Sequence, residues 1–445
     1  MPKWSRDGEV VVFGAGPAGL AAAITLRRSG RQVIVIEPEP FPRNRLGESL
    51  DWSAPRLLRR LGVDPTRLTA DRVATPKRGI AIQTANSKAW KAHPPDFFAK
   101  WPFKFEVLTL HVDRPNLDRR LFDLAAQLGT EFVWDRVSSI DVAGEHVVRI
   151  STLGGNRISS RWFVDASGQA QLLARRFQIP KVEYGARKVC LWTYFDTLPL
   201  DIRTTFYGDT SAVEYVTWIW EIPISPERTS VGCVMSVERF RSERNLGKTT
   251  GEILRDEMLR YARFHALVSP AAALDTTACS YRSYVHTRVS GPNWFLAGEA
   301  ASLPDPLTAN GVTAAFRHGS DAAALIIDAF DRGTMSARER YPYEVNVRRM
   351  GHAFNHSIET GIYEWPVRCG VGSVPAQRIY TAFSYTINAL YSKFQPQTRL
   401  RAEAFGVLLK AVWLWFEIWA LIGRAGMRLR RPNAQRQTAP LRARA

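Results

Sequence analysis

Residues 9–37 read EVVVFGAGPAGLAAAITLRRSGRQVIVIE and contain the pattern that decides the fold. The β-branched run at 9–13 predicts a strand, GAGPAG at 14–19 predicts a tight turn, and the alanine-rich stretch after it predicts a helix. A second apolar run, QVIVI, follows the helix and ends at Glu37. A strand, glycine-rich turn, helix, strand and acid in this order predict a dinucleotide-binding βαβ unit.

The three glycines of this turn have different physical roles. Gly14 permits the tight turn, Gly16 lets the backbone approach a pyrophosphate, and Gly19 allows the helix to pack closely on the strand. The helix N-terminus adds free N–H groups and the positive end of the helix dipole. We expect Glu37 to accept hydrogen bonds from a ribose. The turn by itself does not separate NAD from FAD.

Length and composition describe an ordinary folded enzyme. The chain has 445 residues, of which 45% are hydrophobic and 23% charged, so we expect about two or three structural units. Its four cysteines lie far apart in the sequence, and this spacing predicts neither a metal site nor a disulfide framework. The N-terminus lacks the pattern of a signal peptide, so we expect a cytoplasmic protein.

The formal net charge of +18 raises nucleic acids and anionic membranes as partners. Arginine is concentrated in residues 424–445, and that stretch contains no acidic residue. The sequence has no zinc-finger spacing or RNP-like motif, so the positive charge is the only argument for a nucleic-acid partner. Because charge alone is a weak argument, we expect no such partner. Residues 432–445 are predicted to form a basic, disordered tail.

Two later segments repeat the strand-and-turn pattern. FVDASGQAQLL at 163–173 runs from a strand into a turn of small residues, and NWFLAGEAASLPDPLTANGVTAAFRHG at 293–319 does the same before a helix. A further segment that belongs with them is HVDRPNLDRRLF at 111–122. Together these segments resemble the FAD-binding elements of the group that contains aromatic hydroxylases, geranylgeranyl reductases and flavin-dependent halogenases.

This resemblance implies FAD as the cofactor and assigns residues to its site. In that group a Gly-Asp pair contacts the ribityl chain, whereas here the acid is Glu299, which is longer by one methylene. RLGESL at 45–50 resembles a motif that halogenases and reductases share near the flavin. The βαβ pattern and the resemblance together predict the following cofactor-binding residues: Gly14, Gly16, Gly19, Glu37, Glu48, Ser49, Arg114, Asp165, Gly298, Glu299, Gly311 and Val312.

The stretch TWIWEIPI at 217–224 indicates which members of this group the sequence resembles. Trp218 and Trp220 are two residues apart, so on a strand both rings point to one face. With Ile222 and Pro223 they satisfy the WxWxIP pattern that is associated with flavin-dependent halogenases. In that family the strand packs beside the flavin and shapes the route to the substrate. The resemblance therefore places Trp218, Trp220 and Pro223 on the substrate side of a buried sheet.

The family resemblance also implies a lysine beyond the flavin, and Lys77 in ATPKRGIAI at 74–82 lies at the corresponding place. In the family, halide attack on a flavin hydroperoxide gives hypohalous acid, and the amine holds that species toward an electron-rich carbon. An exposed lysine, or a hydrogen-bond donor or general acid, fits these residues equally well. Where many halogenases have a hydroxyl-rich turn, this chain has Thr308, Ala309 and Asn310, which also fits a reductase or monooxygenase.

These elements predict an α/β fold with two interleaved domains. A Rossmann-like FAD-binding domain of the aromatic-hydroxylase type is expected at residues 1–180 and 275–325. An antiparallel-sheet substrate domain is expected at residues 86–104 and 181–274, where apolar and polar residues alternate. A mainly helical C-terminal region is expected at residues 326–431.

The stretch EAFGVLLKAVWLWFEIWALIGR at 403–424 is strongly apolar. Its charged residues Glu403, Lys410, Glu417 and Arg424 recur every seven residues and would form one narrow polar stripe on a helix. Charges at these positions argue against a membrane-spanning helix. We expect the helix to pack on the protein, or to attach peripherally to the anionic inner surface of a membrane, with its tryptophans as anchors.

Three functions are compatible with the sequence. The first is a halogenase or related monooxygenase for an aromatic or other electron-rich small molecule, including lipophilic ones, with halide ion and a separate flavin reductase as partners. The second is a reductase of the geranylgeranyl type that acts on a lipid double bond. The third is a non-enzymatic, membrane-associated adaptor with a flavin fold. We expect the first, an FAD-dependent oxidoreductase.

Overall fold

The computed structural model contains two large sheets that are connected by helices and loops. The residues that it describes are 5–43, 45–83, 90–92, 109–196, 203–208, 217–271 and 273–359, with separate positions between 363 and 421.

The regular elements of these residues are named in chain order. The strands are β1 (Ser5–Phe13), β2 (Val33–Ile36), β3 (Ala74–Lys77), β4 (Ile80–Gln83), β5 (Trp90–Ala92), β6 (Thr109–Val112), β7 (Glu131–Val133), β8 (Val137–Ala143), β9 (His146–Thr152), β10 (Arg157–Asp165), β11 (Lys181–Phe195), β12 (Thr204–Gly208), β13 (Trp218–Ser225), β14 (Arg228–Ser236), β15 (Thr277–His286), β16 (Ser290–Gly291), β17 (Trp294–Leu296) and β18 (Ser302–Leu303). The α-helices are α1 (Pro17–Arg28), α2 (Ala54–Arg60), α3 (Pro65–Ala70), α4 (Arg114–Gln127), α5 (Leu172–Arg176), α6 (Val237–Asn245), α7 (Thr250–Met258), α8 (Ala262–His265), α9 (Gly311–Ala329) and α10 (Ala337–Ile358).

The first sheet has the strand order β16-β17-β10-β1-β2-β7, with β8 and β9 attached beside β10. Strands β17, β10, β1, β2 and β7 pair in parallel. Every residue of β2 is buried, as expected for a parallel sheet with both faces covered. Helix α1 returns the chain from β1 to β2, which is the predicted βαβ unit. The predicted Rossmann-like architecture is confirmed.

The second sheet has the order β18-β15-β11-β14-β13-β12-β4-β5 and is antiparallel except for the β12 and β4 pair. One face carries Trp218, Trp220 and Ile222. The other face carries Ile219 and Val231 and packs with residues of α7 and α8. Since both faces are buried, the sheet forms a core of its own. The predicted antiparallel sheet is confirmed.

The two sheets are interleaved in the sequence. Strand β4 comes early in the chain but pairs with β12, and β15 follows residue 275 but pairs with β11. Strands of the second sheet therefore lie on both sides of the domain limits that the sequence suggests. Those limits remain predictions, and most of the predicted substrate-domain segment 86–104 lies outside the described residues.

The predicted C-terminal helix is described at separate positions only. Glu403 accepts a hydrogen bond from Tyr341 of α10, and Leu408 packs against the core of the second sheet. Several apolar side chains of the same stretch are exposed: Val407, Leu414, Ile418 and Leu421. Glu417, Arg424 and the tail at 432–445 lie outside the described residues. Among the helices that are described, none is long and apolar enough to cross a membrane.

The packing of Trp220 depends on a glycine across the strand. A Cβ added at Gly232 would lie 2.1 Å from Cζ2 of Trp220. We expect Gly232→Ala to lower the free energy of unfolding by about 1–3 kcal/mol, because the ring must move out of its packed position. Gly208→Ala is the control, since a Cβ there meets no atom within 4 Å. Urea denaturation measures both, and equal midpoints for the two variants would contradict this packing.

Candidate active site

The glycine-rich turn after β1 has the geometry that its sequence predicts. Gly14 has a φ of +94°, and a Cβ there would lie 2.5 Å from the carbonyl oxygen of Ala166. A Cβ at Gly19 would lie 1.9 Å from the carbonyl oxygen of Gly14. A Cβ at Gly16 would meet no atom within 4 Å. The turn is therefore closed at Gly14 and Gly19 and open at Gly16, where a pyrophosphate would approach the backbone.

Glu37 lies where β2 ends and is tied to this turn. Its carboxylate accepts hydrogen bonds from the N–H groups of Ala15 at 2.7 Å and Glu39 at 2.9 Å. Arg43 forms an ion pair with it at 2.8 Å. Helix α1 begins without a side-chain cap, so its first N–H groups remain for an anion. This arrangement fits the pyrophosphate and ribose of a dinucleotide.

The two acidic residues of the later turns differ in their surroundings. Asp165 is fully buried and accepts hydrogen bonds from the N–H groups of Ser167 at 3.0 Å and Leu173 at 2.7 Å. It therefore closes its own turn, and burial raises its pKa. Glu299 is exposed and follows Gly298, whose φ is +62°. Of these two carboxylates, that of Glu299 is the one that a ribityl hydroxyl could reach.

The GESL loop (residues 47–50) is fixed by contacts to two helices. A Cβ at Gly47 would lie 2.6 Å from Val312 Cγ2 and 2.7 Å from Arg114 Nη1. Arg114 is buried, donates to the carbonyl oxygen of Leu46, and forms a two-point ion pair with Asp118 at 3.1 and 2.9 Å. Arg114 and Val312 therefore hold the loop between α4 and α9.

Glu48 of this loop faces the second sheet. Burial raises the pKa of its carboxyl to about 7, although hydrogen bonds from Tyr194 and Ser230 and the charge of Arg114 lower it. Ser230 also accepts a hydrogen bond from the indole N–H of Trp220 at 3.1 Å. Ser230 of β14 thus contacts both Glu48 of the GESL loop and Trp220 of β13.

Lys77 lies at the end of β3 and is only 6% exposed. Its Nζ donates to Ser49 Oγ at 2.8 Å and to the carbonyl oxygen of Leu50 at 3.4 Å. Burial lowers the pKa of Lys77 to about 8, while the charge of Asp51 opposes this shift. The interpretation as an exposed lysine at a strand entry is wrong, since the strand directs the amine toward the GESL loop.

Buried polar residues that sequence reasoning missed surround Lys77. Thr204 Oγ1 lies 3.0 Å from Ser49 Oγ and 2.9 Å from Nε2 of His111. Asp51 accepts hydrogen bonds from the hydroxyl and N–H of Ser53, and burial raises its pKa. Two features of the sequence could have indicated these residues. His111 is a polar residue within the strand TLHV, and Asp51 directly follows the GESL motif.

The two tryptophans lie on one face of β13, as predicted. Their ring centroids are 5.8 Å apart, and both side chains are buried. Their cluster includes Leu46, next to the GESL loop, and Leu307, in the turn before α9. Pro223 is buried later in the same strand. The rings therefore belong to the same buried cluster as residues that adjoin both elements that the sequence assigns to the flavin.

A second buried lysine, also missed, fastens the turn before α9. Lys188 of β11 is fully buried and contacts Asp305 at 3.0 Å and Glu359 at 2.5 Å. Asp305 also accepts from the hydroxyl of Tyr363 at 3.2 Å, and that hydroxyl accepts from the indole of Trp218 at 2.9 Å. The sequence feature that could have indicated this residue is a lysine at the start of the apolar run KVCLWTYF.

The turn at 308–311 leads into α9, which begins at Gly311. Ala309 has a φ of +53°, and Asn310 is the N-cap residue without a side-chain cap on the helix. The first N–H groups of α9 are therefore directed at the turn and suit an anion. Many halogenases have a hydroxyl-rich turn here, and this chain has Thr308, Ala309 and Asn310 instead. The N–H groups at the start of α9 are still available as hydrogen-bond donors.

Together, the Rossmann-like sheet and the glycine turn define a dinucleotide-binding protein, and the buried lysine beside the GESL loop is its candidate catalytic group. A sequence profile described as tryptophan halogenase matches residues 9–106 and 82–360. The chain belongs to the tryptophan halogenase family. Family membership confirms the predicted resemblance and its FAD cofactor; a variant of the halogenase PltM has been solved in complex with FAD.

Individual relatives are similar at moderate identity. A tryptophan 2-halogenase of Chondromyces crocatus is 29% identical over 351 residues, which cover 75% of this chain and 64% of that protein. A 1H-pyrrole-2-carbonyl-[peptidyl-carrier protein] chlorinase of Pseudomonas fluorescens is 26% identical over 91% of this chain and 89% of that protein. The structure of PltM superposes with a TM-score of 0.71 at 14% identity, covering 96% of this chain and 93% of PltM, and shows a shared fold.

The open side of the glycine turn gives a direct test of the cofactor site. We expect Gly16→Val to fold but to purify with little or no FAD, because the side chain occupies the space that a pyrophosphate needs. The ratio of flavin absorbance to protein measures occupancy, and circular dichroism measures folding. A folded variant with full flavin occupancy would contradict the assignment.

Proposed function

We propose that this protein halogenates an electron-rich aromatic ring of a small molecule and that Lys77 holds the halogenating oxidant. The observation that carries this proposal is the buried Lys77 amine, which is fixed to Ser49 and Leu50 of the GESL loop. Reduced FAD, when bound, supplies the activation of oxygen that converts halide into hypohalous acid. The required partners are a halide ion and a separate flavin reductase.

The protonation of Lys77 suits this role. With a pKa of about 8, the amine is mostly an ammonium ion at neutral pH. An ammonium has three hydrogens to donate, and Ser49 and Leu50 accept two of them. The third can be transferred to the oxygen of hypohalous acid, so that the carbon–halogen bond forms as the oxygen–halogen bond breaks and water leaves; the Lys77 amine then accepts the proton that the ring carbon loses.

The neighbouring aromatic surface supports a ring as the substrate. Trp218 and Trp220 lie on one buried face of β13, and Trp220 donates to Ser230, which is also a hydrogen-bond partner of Glu48 in the GESL loop; aromatic side chains close to a site favour flat, electron-rich groups. The names of two relatives specify tryptophan and a carrier-bound pyrrole as their substrates. We therefore propose indoles, pyrroles and phenols, free or carrier-bound, as the substrate class.

Removing the amine should separate oxidant formation from halogenation. We expect Lys77→Met to retain FAD and to consume oxygen, while product formation falls at least about 100-fold. An oxygen electrode and mass spectrometry measure the two rates. Lys181→Met, at an exposed position on β11, is the matched control. Unchanged product formation in Lys77→Met would contradict the role of the amine.

We also propose that the C-terminal segment contacts an anionic membrane surface. The exposed apolar side chains Val407, Leu414, Ile418 and Leu421 and the arginines after residue 423 support this contact. Each basic residue near anionic lipid contributes roughly 1 kcal/mol, so salt should weaken the attachment.

Liposome flotation tests this attachment. We expect the intact chain to float with anionic vesicles at low salt and a truncation after residue 402 to remain in solution. If neither protein floats and the truncated one is insoluble, the segment belongs to the folded core and the proposal is wrong.

A further inference from the structure

Lys77 and three further buried side chains form one hydrogen-bonded row. Lys77 Nζ lies 2.8 Å from Ser49 Oγ, which lies 3.0 Å from Thr204 Oγ1, which lies 2.9 Å from His111 Nε2. None of the four residues is more than 7% exposed. We call this set the hydroxyl row.

Lys77 fixes the direction of the first hydrogen bond in the row. An ammonium can only donate, so Ser49 Oγ accepts from it and keeps its own hydrogen available for Thr204. In the arrangement that we infer, Thr204 donates in turn to Nε2 of His111, and the His111 hydrogen lies on Nδ1, which has no hydrogen-bond partner among the described residues. Burial and the charge of Lys77 lower the pKa of His111 well below 6.5, so the ring is a neutral acceptor at neutral pH.

The row joins two sheets. Lys77 of β3 and His111 of β6 belong to a separate two-stranded sheet, and Ser49 pairs with His111 through an isolated bridge. Thr204 begins β12 of the second large sheet, and its N–H donates to the carbonyl oxygen of Gly79 at 3.2 Å. Thr204 is thus the member of the row that the second large sheet contributes, and its contact Gly79 lies two residues after Lys77 in the sequence.

We propose that Thr204 and His111 are positioning residues that keep Lys77 an oriented ammonium ion through Ser49. In this arrangement each hydroxyl accepts a hydrogen bond from the residue nearer to Lys77 and donates one to the next residue, and the last acceptor is a lone pair of His111. Hydrogen bonds aligned in this direction stabilise the positive charge of the Lys77 ammonium. The proposal rests on the proposed function only for its effect on turnover, because the protonation of Lys77 is measurable by itself.

Other charged groups face the same amine and remain unchanged in the test. Asp51, next to the GESL loop, raises the pKa of Lys77 by its charge, and Arg317 of α9 acts on Asp51. Glu48 is turned toward Tyr194 and Ser230 instead. A change in the row alone should therefore lower the pKa of Lys77 without removing its counterion.

Thr204→Val and Thr204→Ser form the matched pair. Valine has the shape of threonine without its hydroxyl, whereas serine keeps the hydroxyl. Competitive labelling with acetic anhydride across pH, followed by mass spectrometry of the Lys77 peptide, reports the pH at which the amine loses its proton. We expect the midpoint to fall by about one pH unit in Thr204→Val and to stay near the wild-type value in Thr204→Ser.

The same variants give an independent readout in turnover. Because the ammonium form acts, product per oxygen consumed should decline at a lower pH in Thr204→Val than in Thr204→Ser. An unchanged labelling midpoint in folded, flavin-containing Thr204→Val would overturn the inference. If Thr204→Val does not fold, His111→Leu with His111→Gln as its control carries the same test. A shifted midpoint in a protein that forms no halogenated product would support the row and reject the proposed function.

Discussion

A buried amine keeps its charge only where hydrogen-bond acceptors face it, and Lys77 finds these acceptors on the GESL loop. The position of that loop is therefore the constraint on which the candidate site depends. The loop is paired with β6, since Val112 N–H donates to the carbonyl oxygen of Glu48 at 2.7 Å and Leu50 N–H donates to that of Leu110 at 2.9 Å. The pairing with β6 places Ser49 and Leu50 beside the amine of Lys77, which lies on the neighbouring strand β3.

Buried polar contacts also hold the turn before α9. Lys188 of the second sheet holds Asp305, and Asp305 sets the turn from which α9 begins. Taking these charges out of water is costly, and the cost is offset only while each partner is present. Lys77 is therefore held by the GESL loop, and the turn before α9 is held by Lys188 of the second sheet.

The sequence predicted the features that depend on neighbours along the chain. The turn at Gly14 to Gly19 and the shared face of Trp218 and Trp220 follow from local geometry. The burial of Lys77 did not, because its partner Ser49 is 28 residues away, and Thr204 lies 155 residues from Ser49. No periodicity reports such contacts. The long-range pairing that places β4 and β12 side by side was needed to reveal them.

We propose that Lys77, fixed beside the GESL loop, directs a halogenating oxidant at an aromatic ring. The most direct measurement of this role is mass spectrometry of products from enzyme, reduced FAD, oxygen and bromide with a panel of indoles, pyrroles and phenols. We expect a monobrominated product, recognised by its pair of isotopic peaks, that requires bromide. A hydroxylated product, or a saturated product from an added isoprenoid lipid, formed equally well without halide would contradict this role.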